Sequence, residues 1–244
     1  MSYYEQADKQ IVKAIQGVTG ARVDGYFGEQ SLFNMFLKLC NVDKYLPVCT
    51  DMFGGHLIMA SKNQVHFAEV KNREATKNFD YAVSGTFQNG RTNELVSIMV
   101  NDGKVLHATG SKVWKDKAEG TIYMTTDGTL HWNRLKNINL VEDVKWAISG
   151  VSVHNYHPVW EGFSGASADV LRYTGHILFG VTQDDKIVAF YKKTSMGDIK
   201  YISDKILKLK YSISLDGGHI ASINTPEYHY NNYQRQNNLI WFGE

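Results

Sequence analysis

Residues 212–223 read "SISLDGGHIASI", and they set the reading of the whole chain. An apolar β-branched run stops at Asp216, passes through Gly217-Gly218 and His219, and turns apolar again. Leu215 and the residues before it alternate as a short strand does. Two glycines in succession break it and allow backbone to come close to whatever lies opposite, since glycine carries no side chain. An acid at that break puts a carboxylate at a sheet edge. Asp-Gly-Gly is also ordinary turn chemistry, so a purely capping role for Asp216 stands beside the functional one.

Working outward, three pairs of apolar runs flank turn residues. "ELVSIMV" and "KVLHAT" surround Asn101-Asp102-Gly103; "TIYMTT" and "TLHW" surround Asp127-Gly128; "HILFGVT" and "KIVAFY" surround residues 183–185. Alternating runs joined by Asp-Gly predict antiparallel hairpins. Helical periodicity concentrates in the first 45 residues, where Ile11, Ala14, Ile15 and Val18, then Leu32, Met35, Phe36 and Leu39, recur at i, i+3, i+4, i+7. Shorter helices are expected near 72–79 and near 203–210, the latter capped by Ser203. The expected fold class is α+β: a mixed, hairpin-rich sheet with packed helices, preceded by a small helical domain. The expected boundaries are 1–45 for that domain, 46–55 for a linker containing Pro47, and 56–244 for the large domain.

The chain has 244 residues with 26 basic and 25 acidic side chains, a net charge of +1 that argues against nucleic-acid binding by bulk electrostatics. No apolar run reaches membrane-spanning length, so no membrane insertion is expected. The start, "MSYYEQADKQ", lacks the basic and apolar regions of a signal peptide. Cys40 and Cys49 make neither a disulfide framework nor a zinc pattern. His154 and His157 are three apart, but no acid partner follows at fixed spacing, and no metal or other cofactor is expected.

Two resemblances sharpen this. Ile15-Gln16, Asp24-Gly25, Phe27-Gly28 and Ser31 resemble the "DG.FG..T" pattern of the small three-helix peptidoglycan-binding domain. That resemblance implies wall contacts at Asp24, Tyr26 and Phe27. The rest of the chain resembles the phosphodiester glycosidase family, related to the enzyme that uncovers mannose 6-phosphate. Five segments occur in the family's order: "YAVSGTFQNG" at 81–90, "WAISGVSVHN" at 146–155, "GHILFGVTQDDKIVAFY" at 175–191, "SISLDGGHIASI", and "YQRQNNLIWF" at 233–242. Asp216, Gly217, Gly218 and Arg235 keep the family pattern. His176 stands where the family has an arginine, His219 and Ala221 replace a glycine and a serine, and Ser84 replaces an asparagine.

The resemblance implies catalysis by Asp216, Arg235, His219 and His176, with Gly217, Gly218, Ser84, Thr86 and His154 contacting substrate. Arg235 would clamp phosphate with its planar fork. Asp216 would serve the attacking water or the oxocarbenium-like centre. Gly217 and Gly218 would turn backbone N–H groups toward the ligand. Together the domains suggest a hydrolase of the bacterial cell wall, cleaving a sugar-phosphate or glycosidic linkage in peptidoglycan or a sugar-phosphate polymer. Without a signal, such an enzyme would be made in the cytoplasm as a phage endolysin released through a holin, or be carried on a virion. The competing readings are a non-catalytic wall- or glycan-binding protein on the same scaffold, and an intracellular phosphodiesterase acting on a nucleotide-sugar.

Overall fold

A computed structural model describes residues 47–72, 75–110, 117–231 and 236–244, together with Lys13, Gln16, Gly28, Ser31, Phe33 and Asn34. Fifteen strands run through the described residues. In chain order they are β1 (Val48–Met52), β2 (Gly55–Ser61), β3 (Val65–Asn72), β4 (Ala82–Ser84), β5 (Met99–Asn101), β6 (Lys104–His107), β7 (Glu119–Thr125) and β8 (Leu130–Leu135). Then follow β9 (Val144–Ser152), β10 (Thr174–Val181), β11 (Lys186–Thr194), β12 (Tyr211–Ser214), β13 (Ser222–Asn224), β14 (His229–Asn231) and β15 (Gln236–Phe242).

They make two antiparallel sheets. The larger has ten strands along β1-β2-β11-β10-β12-β9, where β9 pairs with both the β5-β6 and the β7-β8 hairpins. The smaller has five strands in the order β14-β13-β4-β15-β3. The three hairpins form at the Asp-Gly and Asp-Asp turns, with Asp102, Gly103, Gly128 and Asp185 all at positive φ. That backbone hand matches the twist of the flanking strands, which is why Asp and Gly stand there.

The expected α+β class is therefore corrected to a mostly β architecture with no parallel pairing among the described strands. The segments with helical composition are too short to cover a sheet face. Ala75–Asn78 makes one 3₁₀ turn, and the α-helix Met196–Tyr201 has only six residues before a π turn, Ile202–Ile206. That helix starts earlier than expected because Ser195 and Asp198 form a reciprocal capping box. Ser203 caps nothing; it is buried in the π turn, its hydroxyl bonded to that of Ser212 at 2.7 Å.

The expected linker is also structured, since β1 pairs with β2 along its length. Most of the expected helical domain lies outside the described residues, as does Cys40. The described residues there do not make up such a domain. Gln16 and Ser31 are both buried and hydrogen-bonded at 3.0 Å, and Phe33 packs edge-on to Phe53, joining the core under the large sheet.

The main core lies between the sheets. Ile58, Trp146, Phe179 and Ile213 of the larger meet Phe67, Val83 and Ile240 of the smaller. Each such side chain removed from water contributes about 1.5–3 kcal/mol, which fixes how the two sheets face each other. The chain crosses between sheets where β12 ends and β13 begins. Asp216-Gly217-Gly218 is that crossing.

Candidate active site

Asp216 is held at the seam by backbone first. Leu215 still belongs to the large sheet, its N–H donating to Ile177 O at 2.8 Å, while Asp216 N–H donates to Gly85 O at 3.2 Å, just past β4 of the small sheet. The Asp216 carboxylate accepts from Gln88 N–H at 3.4 Å and from Gly217 N–H. These two bonds are outweighed by burial, which pushes its pKa up to about 7. Part of its surface still opens into a small cavity of ≈ 170 Å³, shared with Arg172, Thr174, Gly217, Gly218 and His219. At roughly 30 Å³ per water, that is room for five or six waters, a phosphate group or about one sugar ring.

The glycines are needed for reasons other than the ones expected. Gly217 N–H points back at Asp216, and Gly218 N–H donates to Gly175 O at 2.8 Å, so both are engaged within the protein. Gly218 has φ +62, a conformation few other residues adopt cheaply. A β-carbon on Gly217 would stand 2.5 Å from Gly175 O, which is backbone and cannot swing aside. Gly217→Ala should therefore displace the loop, cost about 1–3 kcal/mol in chemical denaturation, and remove most activity. Gly90→Ala, with nothing within 4 Å of its new methyl, should do neither. Equal tolerance of the two would show that the close approach at Gly217 is not required.

Arg172 is the cation the sequence reading did not select. Its terminal nitrogen lies 3.6 Å from the place a Gly218 β-carbon would occupy, with Thr174 Oγ1 at 3.5 Å from that same point. It precedes β10 by two residues, and its carbonyl is 3.0 Å from His176 Nε2. A carbonyl only accepts, so Nε2 carries the hydrogen. His176 itself is 1% exposed, and burial lowers its pKa against the opposing contacts with the backbone of Arg172 and Thr194. Buried in this way, its ring holds the backbone of Arg172 rather than facing substrate. The signal in the sequence was an arginine four residues before His176, in "LRYTGH".

Of the other candidates, His219 is exposed at the cavity wall. Ser84 and Thr86 are fully buried: Ser84 Oγ accepts from Ser222 N–H at 3.2 Å, and Thr86 Oγ1 donates to Ser149 O at 2.5 Å. The Ser84 bond ties β4 to β13 within the small sheet, and the Thr86 bond ties the residues after β4 to β9 of the large one. His154 leaves β9 beside Tyr211, at the opposite end of β12 from Asp216 and about 16 Å along the strand. Its ring packs edge-on to Trp132 and Tyr211, and burial lowers its pKa. His157 stacks on the exposed Trp160. Among the described residues no three His, Cys, Asp or Glu side chains converge as metal ligands. Arg235, Asp24, Tyr26 and Phe27 lie outside the described residues.

The loop from β9 to β10, which carries Arg172, is fixed from beneath by Glu161. That carboxylate has no exposed surface, accepts from Ser152 N–H at 2.9 Å and from the Ser152 hydroxyl, and takes Arg134 Nε at 2.8 Å. Burial raises its pKa, against these three donors. Phe163 of the same loop packs on Phe87 with ring centres 5.5 Å apart, and Phe87 adjoins Gln88. Loop and Asp216 thus share one support.

The two-sheet fold is shared with solved structures of low sequence identity. The chain is similar to the catalytic domain of zebrafish N-acetylglucosamine-1-phosphodiester α-N-acetylglucosaminidase in its pro-peptide-inhibited form, at 14% identity and a TM-score of 0.64, covering 78% of this chain and 76% of that one. It is also similar, at 8% identity and a TM-score of 0.53, to a Burkholderia pseudomallei protein described as exported, covering 78% and 74%. Identities this low establish the shared fold and leave the reaction to the site. No protein-family model matches the chain, and no curated protein sequence matches it.

Proposed function

We propose that the chain is a glycan hydrolase of the phosphodiester-glycosidase type, cleaving a sugar-phosphate linkage in a bacterial wall polymer. The observation that carries this is a carboxylate with its pKa near 7, open to a cavity of one-sugar size that also holds a guanidinium and an exposed imidazole. Arg172 and His219 bind the phosphate oxygens. The phosphate monoester leaves as a stable anion and takes the bridging oxygen with it, so that oxygen needs little proton assistance. Ionised Asp216 takes a proton from the water that attacks the anomeric carbon, and the new O–C bond replaces the sugar–phosphate bond. Arg235, from the closing segment, is retained in this scheme as a second contact to phosphate.

The proposed setting is endolysin-like: synthesis in the cytoplasm, release through a holin or carriage on a virion, and a peptidoglycan-directed N-terminal segment with Asp24, Tyr26 and Phe27 as its wall contacts. The buried Gln16–Ser31 bond supports this much, because both residues belong to the pattern that suggested the segment.

The scheme has a definite pH signature. Asp216 must be ionised, and its pKa of about 7 means that activity should rise with pH, tenfold per unit below 7, and level off above. Hydrolysis of a sugar 1-phosphodiester, followed by released sugar from pH 5 to 9, measures it. Activity that falls from pH 6 to 8 would make Asp216 an acid and overturn the assignment. Saturable wall binding with no turnover at any pH would favour the non-catalytic reading.

A further inference from the structure

A second cavity, of ≈ 880 Å³, is lined in part by Asn93 and Asn237, both bonded to the Gln88 side chain. Ligand sites commonly span about 300–1,000 Å³, so several sugar units fit. Its rim carries Glu69, Thr92, Glu94 and His107, and its inner wall carries Asn93 and Asn237.

Gln88 links residues that line this cavity to Asp216. Gln88 N–H donates to Asp216, its side-chain amide donates to Asn93 Oδ1 at 3.1 Å, and its carbonyl oxygen accepts from Asn237 N–H at 2.9 Å. Asn237 is fixed in turn, donating to Asn93 O at 2.9 Å.

The chemistry of the lining selects a class. Two carboxylates, two amides, an imidazole and a hydroxyl that donates to Glu94 at 3.0 Å line it, a mixture of acceptors and donors such as sugar hydroxyls require. The named lining holds no Lys or Arg among the described residues, and its two carboxylates would repel a phosphate. His107 Nδ1 is buried without a hydrogen-bond partner among the described residues.

We propose that this cavity is a subsite for the neutral saccharide part of the substrate, joined through Gln88 to the residue that serves the cleavage site. The inference rests on the glycan-hydrolase reading for its substrate class, but its test does not depend on turnover. The phosphodiester would sit at Arg172 and Asp216, and the uncharged glycosyl units beyond it at Glu69, Glu94 and His107.

Saturation-transfer NMR titration with tetra-N-acetylchitotetraose and with maltotetraose, both neutral, tests it on the full chain. Wild type should bind one of them saturably. Thr92→Trp, which fills the rim, should weaken that binding at least tenfold, and the double variant Glu69→Gln, Glu94→Gln should weaken it severalfold without adding bulk. Thermal melts confirm that each variant folds. Asp216→Asn should bind as wild type does. No saturable binding by wild type, or binding unchanged in both rim variants, overturns the subsite. Binding lost in the rim variants alongside a protein that never turns over any sugar phosphodiester would sink the hydrolase reading and leave the subsite standing.

Discussion

Asp216→Asn is expected to lose about 10²–10⁴-fold in turnover of a sugar 1-phosphodiester, the usual range for removing a positioned proton-transfer group, while becoming more stable at pH 8. The two effects have one cause. Burial raises the Asp216 pKa to about 7, so the folded protein holds on to a proton that the unfolded chain has already released. For a carboxylate raised in this way, stability is greatest at low pH and falls as pH rises from its ordinary value toward 7. Above pH 7 the native state carries an ionised group in a poorly solvated place. The amide keeps the shape and removes the charge. Because Asp216 retains some contact with the cavity, the expected gain is modest, about 1–2 kcal/mol. Denaturation of both proteins at pH 3, pH 5 and pH 8 reads it: the gain should be nearly absent at pH 3, partial at pH 5 and full at pH 8. A variant that is less stable at pH 8 would mean that Asp216 is there to build the loop, and the turn-capping reading would prevail.

Glu161→Ala should be the most destabilising single change near the site, at about 3–5 kcal/mol, the range for breaking a buried ion pair by removing one partner. The backbone N–H and hydroxyl of Ser152 would lose their acceptor, and Arg134 would face a hole where its carboxylate was. At this chain length each kcal/mol moves the melting temperature by about 2–4 °C, so a drop near 10 °C is expected. Glu161→Gln should cost less, since its carbonyl oxygen still accepts from Ser152. Activity should fall with Glu161→Ala even at temperatures where the variant is folded, because the β9–β10 loop brings Arg172 to the cavity. A loss of under 1 kcal/mol would show that the loop is held by Phe163 and its apolar neighbours alone.

Much of the fold was legible because turn chemistry is local. Asp-Gly at 102–103 and 127–128 predicted hairpins that form, and "SISLDGG" predicted a strand ending in a break that also forms. What was not legible was the fate of helical composition. "SDKILKLK" has the spacing of a helix, but Ser203 is drawn inward to the Ser212 hydroxyl by a contact nine residues away, and the helix begins instead at Ser195. The layer count was missed for the same reason: strand pairs distant in sequence, such as β4 with β15, leave no local mark.

At the site, the chain's own pattern pointed to Asp216 and His219, which share a cavity. The family resemblance pointed also to His176, which supports the main chain of the cation beside it, and to Ser84 and Thr86, whose hydroxyls bond to β13 and β9. Small polar residues next to a glycine read alike whether they face a ligand or a buried carbonyl. Arg172 escaped because a loop residue carries no periodicity, and Glu161 because a buried acid is visible only once its three donors are in place.

The central claim is that this cavity breaks the bond between phosphate and the anomeric carbon. Hydrolysis of a sugar 1-phosphodiester in ¹⁸O-labelled water, with mass spectrometry of both products, tests it most directly. The account predicts the label in the released sugar and none in the phosphate. Label found in the phosphate would mean attack at phosphorus, and the role given to Asp216 would be wrong.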